Sequence, residues 1–300
     1  MDALVIEEVD KTFGATRAVD KLSAKVPPGS IYGFLGPNGA GKTTTIRMIM
    51  DIIRPDSGRI SLFGVPSTNG CRERVGYMPE ERGLYRKMTV NNFLAYIGRL
   101  KGMSRGDVNR AAPHWLEKVG LSDWSGKRVE ELSRGMQQKI QFVTTVINDP
   151  DLLILDEPFS GLDPVNLDLL KSVMLEMRDD GKTVLFSTHM MDHAERLCDF
   201  IMLINDGRKV IDGPLDSIRE GYASDSVLLE TDSDTAFVGE LPIVTSVSGR
   251  GKTLEIVLKD GADPQELLKI LVDRVRVKRF ETKVPTLHEI FVDLVGDNHE

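Results

Sequence analysis

"GPNGAGKTTT", residues 36–45, stands between the apolar run Ile31–Leu35 and an amphipathic run that begins at Ile46. A glycine-rich turn that opens a helix, with a lysine and a threonine at its mouth, holds phosphate. Residues 36–43 fit G-x-x-x-x-G-K-[ST]. The loop Gly36, Pro37, Asn38, Gly39, Ala40, Gly41 lets consecutive backbone N–H groups curl around a β-phosphate. The helix that follows points its positive end at the same group. Lys42 is placed to reach the β/γ oxygens, Thr43 to ligate Mg²⁺, and Thr44 belongs to the same nucleotide-facing turn. With a strand before and a helix after, the ligand class is a nucleoside triphosphate.

The second constellation is "DLLILDEP", residues 151–158. Four apolar residues, Leu152 to Leu155, read as a buried strand, and an open α/β sheet places ligands beyond the carboxyl ends of its strands. Asp156 would hold Mg²⁺ directly or through water. Glu157 is the second acid, free to act on an attacking water. Two acids after an apolar strand would, by themselves, read as an exposed turn; paired with the phosphate loop they read as a site.

Working outward, the rest of the chain alternates strand-like and helical patterns. "ALVIEEV" (3–9), "IYGFLG" (31–36), "GRISLFG" (58–64) and "RVGYMP" (74–79) read as strands, with a helix from Gly41 to about Ile53. Residues 89–148 read as a helical insert, with Thr89 and Ser104 as N-caps and Gly102 and Gly120 as breakers. A helix from about Asp163, the strand "TVLFST" (183–188), a helix reaching Cys198 and the strand "FIMLIN" (200–205) follow. The composition shifts near Tyr222. From there three strand-like stretches, a helix capped by Asp263 with Pro264 in its first turn, and a capping box of Thr286 and Glu289 describe a second, small α/β domain. The expected division is 1–221 and 222–300.

Composition narrows the partners. At 41% hydrophobic and 28% charged the chain is globular, and no apolar run approaches the roughly 20 residues that span a bilayer. The start "MDALVIEEVD" has early acids and no basic region, unlike a secretory signal. Cys71 and Cys198 have no metal-binding spacing and read as reduced residues of a cytosolic protein. A formal net charge of −8 argues against nucleic acid and against anionic lipid, since both require a positive field.

A third segment has no counterpart in a generic phosphate-loop protein: "ELSRGMQQKIQF", residues 131–142. It sets a Ser, a Gly and a glutamine-rich turn at a helix start, with no evident task in its own site. It resembles the signature motif of ATP-binding-cassette (ABC) proteins. Around it stand "KTFG" (11–14), "GYMPEERG" (76–83), "SGLDP" (160–164) and "STHMMDHAERLCD" (187–199), in the order that family shows. The resemblance covers about residues 3–220. Within the family the chain looks most like the ATPases of type-2 exporters, nearest to sodium-efflux-type subunits, on "YMPEERGLYRKMTV", "LSRGMQQK" and the closing "PTLHEIFVDLVG".

The resemblance implies an α/β fold: a phosphate-loop ATPase core with antiparallel β and helical subdomains, followed by the small C-terminal domain. It implies ATP and Mg²⁺ as cofactors. Phe13 would stack on adenine, Ser133 and Gly135 would meet the γ-phosphate held by a second copy, and Asp163 would lie in the D-loop. His189 would be the switch histidine, and Glu80 would take the metal-sensing position. It implies a second ATPase chain, an integral membrane permease subunit, and a place at the cytoplasmic face of the membrane. Two departures stand out: Arg134 and Met136 alter the signature, and Glu80 stands where most relatives have Gln. The other histidines, His114, His193, His288 and His299, read as surface or packing residues. A soluble, non-transport ABC ATPase acting as a regulator or remodeller is the alternative. The single cassette, the lack of sustained heptads and the acidic balance weigh against it.

Overall fold

A computed structural model describes residues 1–67, 71–81, 83–222, 226–250, 252–259, 261–283 and 285–296; of Cys71, Arg72, Arg250 and Gly296 only the backbone is described. The chain divides into two units, Met1–Leu215 and Asp216–Glu300. The division falls earlier than the 221/222 boundary expected from composition. The short polar helix before Tyr222 carries no shift in composition to mark it.

The first unit opens with the strands β1 (Leu4–Phe13) and β2 (Thr16–Val26), then β3 (Ile31–Leu35), helix α1 (Lys42–Ile49), β4 (Ser57–Leu62), β5 (Val65–Pro66) and β6 (Val75–Met78). An insert of three helices follows: α2 (Val90–Leu100), α3 (Arg105–Lys118) and α4 (Arg134–Val146). The chain then returns through β7 (Leu152–Asp156), α5 (Pro164–Asp179), β8 (Thr183–Thr188), the short α6 (Met191–Glu195), β9 (Phe200–Asn205) and β10 (Arg208–Pro214).

Two sheets result. One is antiparallel, in the order β2-β1-β4-β5; the other runs β10-β9-β3-β8-β7-β6. In the larger sheet β9, β3, β8, β7 and β6 are parallel, and β10 is an antiparallel edge. Every residue of β3, β7 and β8 is buried, as expected of parallel strands covered on both faces. One apolar core joins Leu4, Ile6 and Ile60 of the antiparallel sheet to Ile46 of α1 and to Phe34, Ile154 and Met202 of the larger sheet. The phosphate loop is therefore seated between two sheets that share a core.

The helical insert has its own core, including Phe93, Leu94, Val108, Leu116, Val129 and Ile140. Its starts are chemically fixed: the hydroxyls of Thr89, Ser104 and Ser133 accept from the backbone N–H of Asn92, Asp107 and Met136. Gly102 and Gly120 take positive φ just past α2 and α3, as breakers do.

Two helices are shorter than the sequence reading. α1 stops at Ile49 rather than near Ile53, because Asp51 takes a left-handed conformation (φ 52) that ends the ladder. α6 stops at Glu195 rather than at Cys198. Beyond it Cys198 turns inward and is buried against Gly33, and the Asp199 carboxylate accepts from the Ile31 N–H at 2.8 Å.

The second unit takes up α7 (Leu215–Gly221) from its second residue, and holds β11 (Ser226–Thr231), β12 (Val244–Arg250), β13 (Thr253–Leu258), α8 (Pro264–Val272), β14 (Val277–Thr282) and α9 (Leu287–Gly296). Its sheet is antiparallel throughout, in the order β12-β13-β11-β14. Val227, Leu229, Ile256, Leu267 and Leu271 form its core. The expected caps are present: Asp263 accepts from the Gln265 N–H, and Thr286 and Glu289 exchange bonds at the start of α9. On α9, Leu287 and Ile290 are fully buried. The glycine-rich turn between β12 and β13 includes Gly251, which lies outside the described residues, as does Arg82 in the loop after Glu80.

Candidate active site

The site is built at the carboxyl ends of β3, β7 and β8. Two glycines of the phosphate loop have no alternative. A Cβ on Gly36 (φ +154) would lie 2.1 Å from the Ile204 carbonyl oxygen, and one on Gly41 (φ +103) would lie 2.4 Å from the Ala18 carbonyl oxygen. The loop's backbone is thus wedged against β9 and β2, which presents its open side to a cleft of about 310 Å³. Asn38, Gly39, Gly41, Lys42, Thr43 and Thr44 line that cleft from the loop. Glu80, Glu157, Ser160 and His189 line it from three other segments, and Ala18 closes it.

Lys42 is only 6% exposed, and its ammonium donates to the carbonyls of Gly36 (2.8 Å) and Pro37 (3.1 Å) within its own loop. It also lies 3.8 Å from a carboxylate oxygen of Glu157. Burial pushes the Lys42 ammonium below its ordinary pKa, against the opposing pull of Glu157, Asp156 and Glu80. The charge is kept in a partly dry site, where it acts most strongly on phosphate.

Asp156, 1% exposed, ends β7. Its Oδ1 accepts from the Thr43 hydroxyl at 3.2 Å and from the Ser187 hydroxyl at 2.5 Å. Its Oδ2 is buried without a hydrogen-bond partner. A buried carboxylate oxygen without a partner is costly. A hard cation held between Thr43 and Asp156 would satisfy it, so the donor set fits Mg²⁺.

Glu157 sits at φ 47, a left-handed conformation uncommon outside glycine. Its N–H donates to Ser187 Oγ at 3.1 Å, and its Oε1 lies 3.0 Å from His189 Nδ1. Strain of this kind is held by its surroundings, and Ser187 is one anchor. Ser187 thus contacts both acids, fixing Asp156 with its proton and Glu157 with its lone pair. A serine one residue before the end of an apolar strand gave no sequence signal for this role.

The remaining sequence-predicted residues are not brought to the cleft. Phe13 stands at the end of β1, half exposed, with the Lys11 ammonium 5.4 Å from its ring centre. Ser133 is exposed, and its hydroxyl caps α4, accepting from the Met136 N–H at 3.3 Å. Gly135 lies beside Leu162, Asp163 and Asn166. Asp163 caps α5, accepting from the Asn166 N–H at 3.1 Å, and that backbone bond holds its carboxyl below the usual range.

The glutamine-rich turn behind Ser133 has a structural use that spacing alone did not reveal. Gln141 Nε2 donates to the carbonyl of Pro79 (2.6 Å), next to Glu80. Gln138 Nε2 donates to the carbonyl of Pro158 (3.1 Å), next to Glu157. One helix thus grips both acid-bearing loops of the cleft.

A phosphate loop at the end of a doubly wound sheet, with a strand-end acid pair beside its lysine and threonine, defines a phosphate-loop nucleoside triphosphatase. Residues 19–160 match the ABC transporter family, and residues 213–295 match the C-terminal domain of DrrA1-3-like ATP-binding proteins. The chain is 42% identical, over 99% of its length and all of the relative's, to the uncharacterized ABC transporter ATP-binding protein YhaQ of Bacillus subtilis. It is 36% identical to the Nod factor export ATP-binding protein I of Paraburkholderia xenovorans, covering 98% of this chain and 97% of that one. Among solved structures, an ATP-binding subunit of an ABC transporter superposes with a TM-score of 0.68 at 32% identity, covering 73% of this chain and 93% of the other. The chain belongs to the ABC transporter ATP-binding protein family and is an ATPase subunit of that type-2 exporter branch. Among the described residues no helix is long and apolar enough to cross a membrane.

Proposed function

We propose that two copies of this chain close around two ATP molecules, each site taking its phosphate loop from one copy and Ser133 and Gly135 from the other. The observation that carries this is a separation within one chain. The cleft holds Lys42, Thr43, Glu80, Glu157 and His189, whereas Ser133 is exposed and does not line it.

In this reading the loop from Gly36 to Thr44 cradles the phosphates and Phe13 stacks on the base, an interaction worth about 1–3 kcal/mol at comparable sites. Glu157 takes a proton from the attacking water, and His189, 3.0 Å from it, orients that carboxylate and the γ-phosphate end. Thr43 and Asp156 would hold Mg²⁺, with Glu80 at its edge; bound there, the ion neutralises phosphate charge. Among the described residues no three His, Cys, Asp or Glu side chains form a metal cluster. That suits an ion which keeps water and phosphate oxygens in its shell. Asp163, beside Gly135, lies where the second copy would arrive. Closure drives a separately encoded membrane subunit at the cytoplasmic face of the membrane, and the work is export.

Glu157→Gln tests the reading. ATP binding should persist, turnover should fall by the roughly 10²–10⁴-fold of a lost general base, and an ATP-bound dimer should accumulate on gel filtration. Hydrolysis near the wild-type rate would overturn it.

A further inference from the structure

His193 has no place in the reading above, yet its setting is specific. It lies on α6, four residues beyond His189, and its Nδ1 is buried with no hydrogen-bond partner. Its ring meets Phe159 edge-on, with centres 5.5 Å apart and planes at 89°. Phe159 is 4% exposed and is enclosed on its other sides by Phe186 of β8, at 5.5 Å and 73°, and by the Lys171 ammonium of α5, 5.8 Å from the ring centre. Phe159 is thus the plug of the loop between β7 and α5. That loop starts at the strained Glu157 and carries Ser160 into the cleft.

We propose that His193 is a positioning residue for hydrolysis: its neutral ring seats Phe159 and so holds the aim of Glu157, and a proton on that ring unseats the loop. The proposal rests on Glu157 acting on the attacking water, as argued above.

The chemistry follows from the orphaned nitrogen. The neutral ring with its proton on Nε2 leaves only a bare acceptor at Nδ1. The protonated ring adds an N–H at Nδ1 with no acceptor to meet it, inside an apolar contact. The charged groups around it come from two elements. Lys171 and Asp168 face it from α5, Asp192 from α6 and Arg196 from that helix's C-cap position, so the surrounding charges largely offset one another. Burial decides, and holds the imidazole below its ordinary pKa of 6.5. The sign is then fixed. At neutral pH the ring is uncharged and the seat is intact. As the pH falls from about 6.5 towards the lowered native value, the folded state must take up a proton it cannot accommodate, and the seat is lost. His189 is exposed and differs in kind, since its Nδ1 has the Glu157 carboxylate beside it.

The experiment measures ATP turnover from pH 8 to pH 5.5 for the wild type, His193→Phe and His193→Ala, together with amide hydrogen exchange of residues 158–162 corrected for intrinsic rates. Phe keeps a ring against Phe159 but cannot titrate; Ala removes the ring. Wild type should lose about threefold or more of its turnover on acidification beyond whatever His193→Phe loses. Its loop should lose protection over the same interval. His193→Phe should keep near-wild-type turnover at pH 8 and a pH-independent loop. His193→Ala should be slow, with an unprotected loop, at every pH. An acid limb in His193→Phe equal to that of the wild type, or loop protection unchanged in His193→Ala, would overturn the proposal. The exchange measurement needs no hydrolysis. A protected, pH-sensitive loop in a chain whose Glu157→Gln variant stays active would count against the Glu157 reading and leave the seat standing.

Discussion

The phosphate loop and the start of α4 belong to one unit, carry comparable glycine and hydroxyl chemistry, and are finished differently. At the loop, groups converge from four segments until a single buried oxygen, Asp156 Oδ2, lacks a partner. At the start of α4, Ser133 caps its own helix, Arg134 is exposed, and Leu162, Asp163 and Asn166 lie beside Gly135. In the proposed reading, one region is pre-organised for a cation and a phosphate, and the other is a structured surface for a second copy of the chain. The lesson is that a motif's spacing reports which groups belong to a reaction, not whether one chain assembles them.

The sharpest way to break this contrast is to damage the loop alone. Gly41→Ala would force a Cβ to within 2.4 Å of the Ala18 carbonyl at a φ of +103. With about 1–3 kcal/mol of backbone strain added to the clash, nucleotide affinity should fall by at least about 100-fold. Isothermal titration with ATP measures it, and unchanged affinity would mean that the wedge against β2 is dispensable.

Ser133→Ala addresses the other side. Loss of the cap should cost about 0.5–2 kcal/mol of stability, read from denaturant unfolding. ATP affinity of the monomer should not move, because the hydroxyl lies outside the cleft. Turnover at high protein concentration should drop by about tenfold, the worth of one hydrogen bond. A weakened monomer affinity would place Ser133 in its own site and collapse the contrast.

The smallest effect belongs to Glu80. Its carboxylate lines the cleft and pulls on Lys42, and a full negative charge attracts a divalent ion more strongly than an amide does. Glu80→Gln should raise, about twofold to tenfold, the Mg²⁺ concentration giving half-maximal hydrolysis. Metal-free ATP binding should stay equal or tighten. Superimposable Mg²⁺ titrations would assign the residue to a partner surface.

Much of this was legible in the sequence because it depends on local chemistry. Glycine freedom, N-caps at Thr89 and Ser104, and the apolar runs of β3 and β7 are properties of short stretches. So is the pairing of Asp156 with Glu157 at a strand end. Helix ends were read too far at α1 and α6, because what stopped them was a left-handed Asp51 and the inward turn of Cys198 and Asp199 against β3. Those are demands of packing that no local pattern encodes.

The sequence by itself determined the phosphate loop, the acid pair, the order of the motifs and hence the family. Only the tertiary structure decided that Ser187 ties both acids together, that Gln138 and Gln141 bind α4 to both acid-bearing loops, and that His193 backs Phe159. It also decided that Ser133 stays outside the cleft it resembles a part of. The physical reason is range. Backbone conformation and strand burial are set by a residue and its near neighbours, whereas a hydrogen bond across 30 residues, or a ring packed between three elements, exists only once the sheet has brought them within a few ångströms.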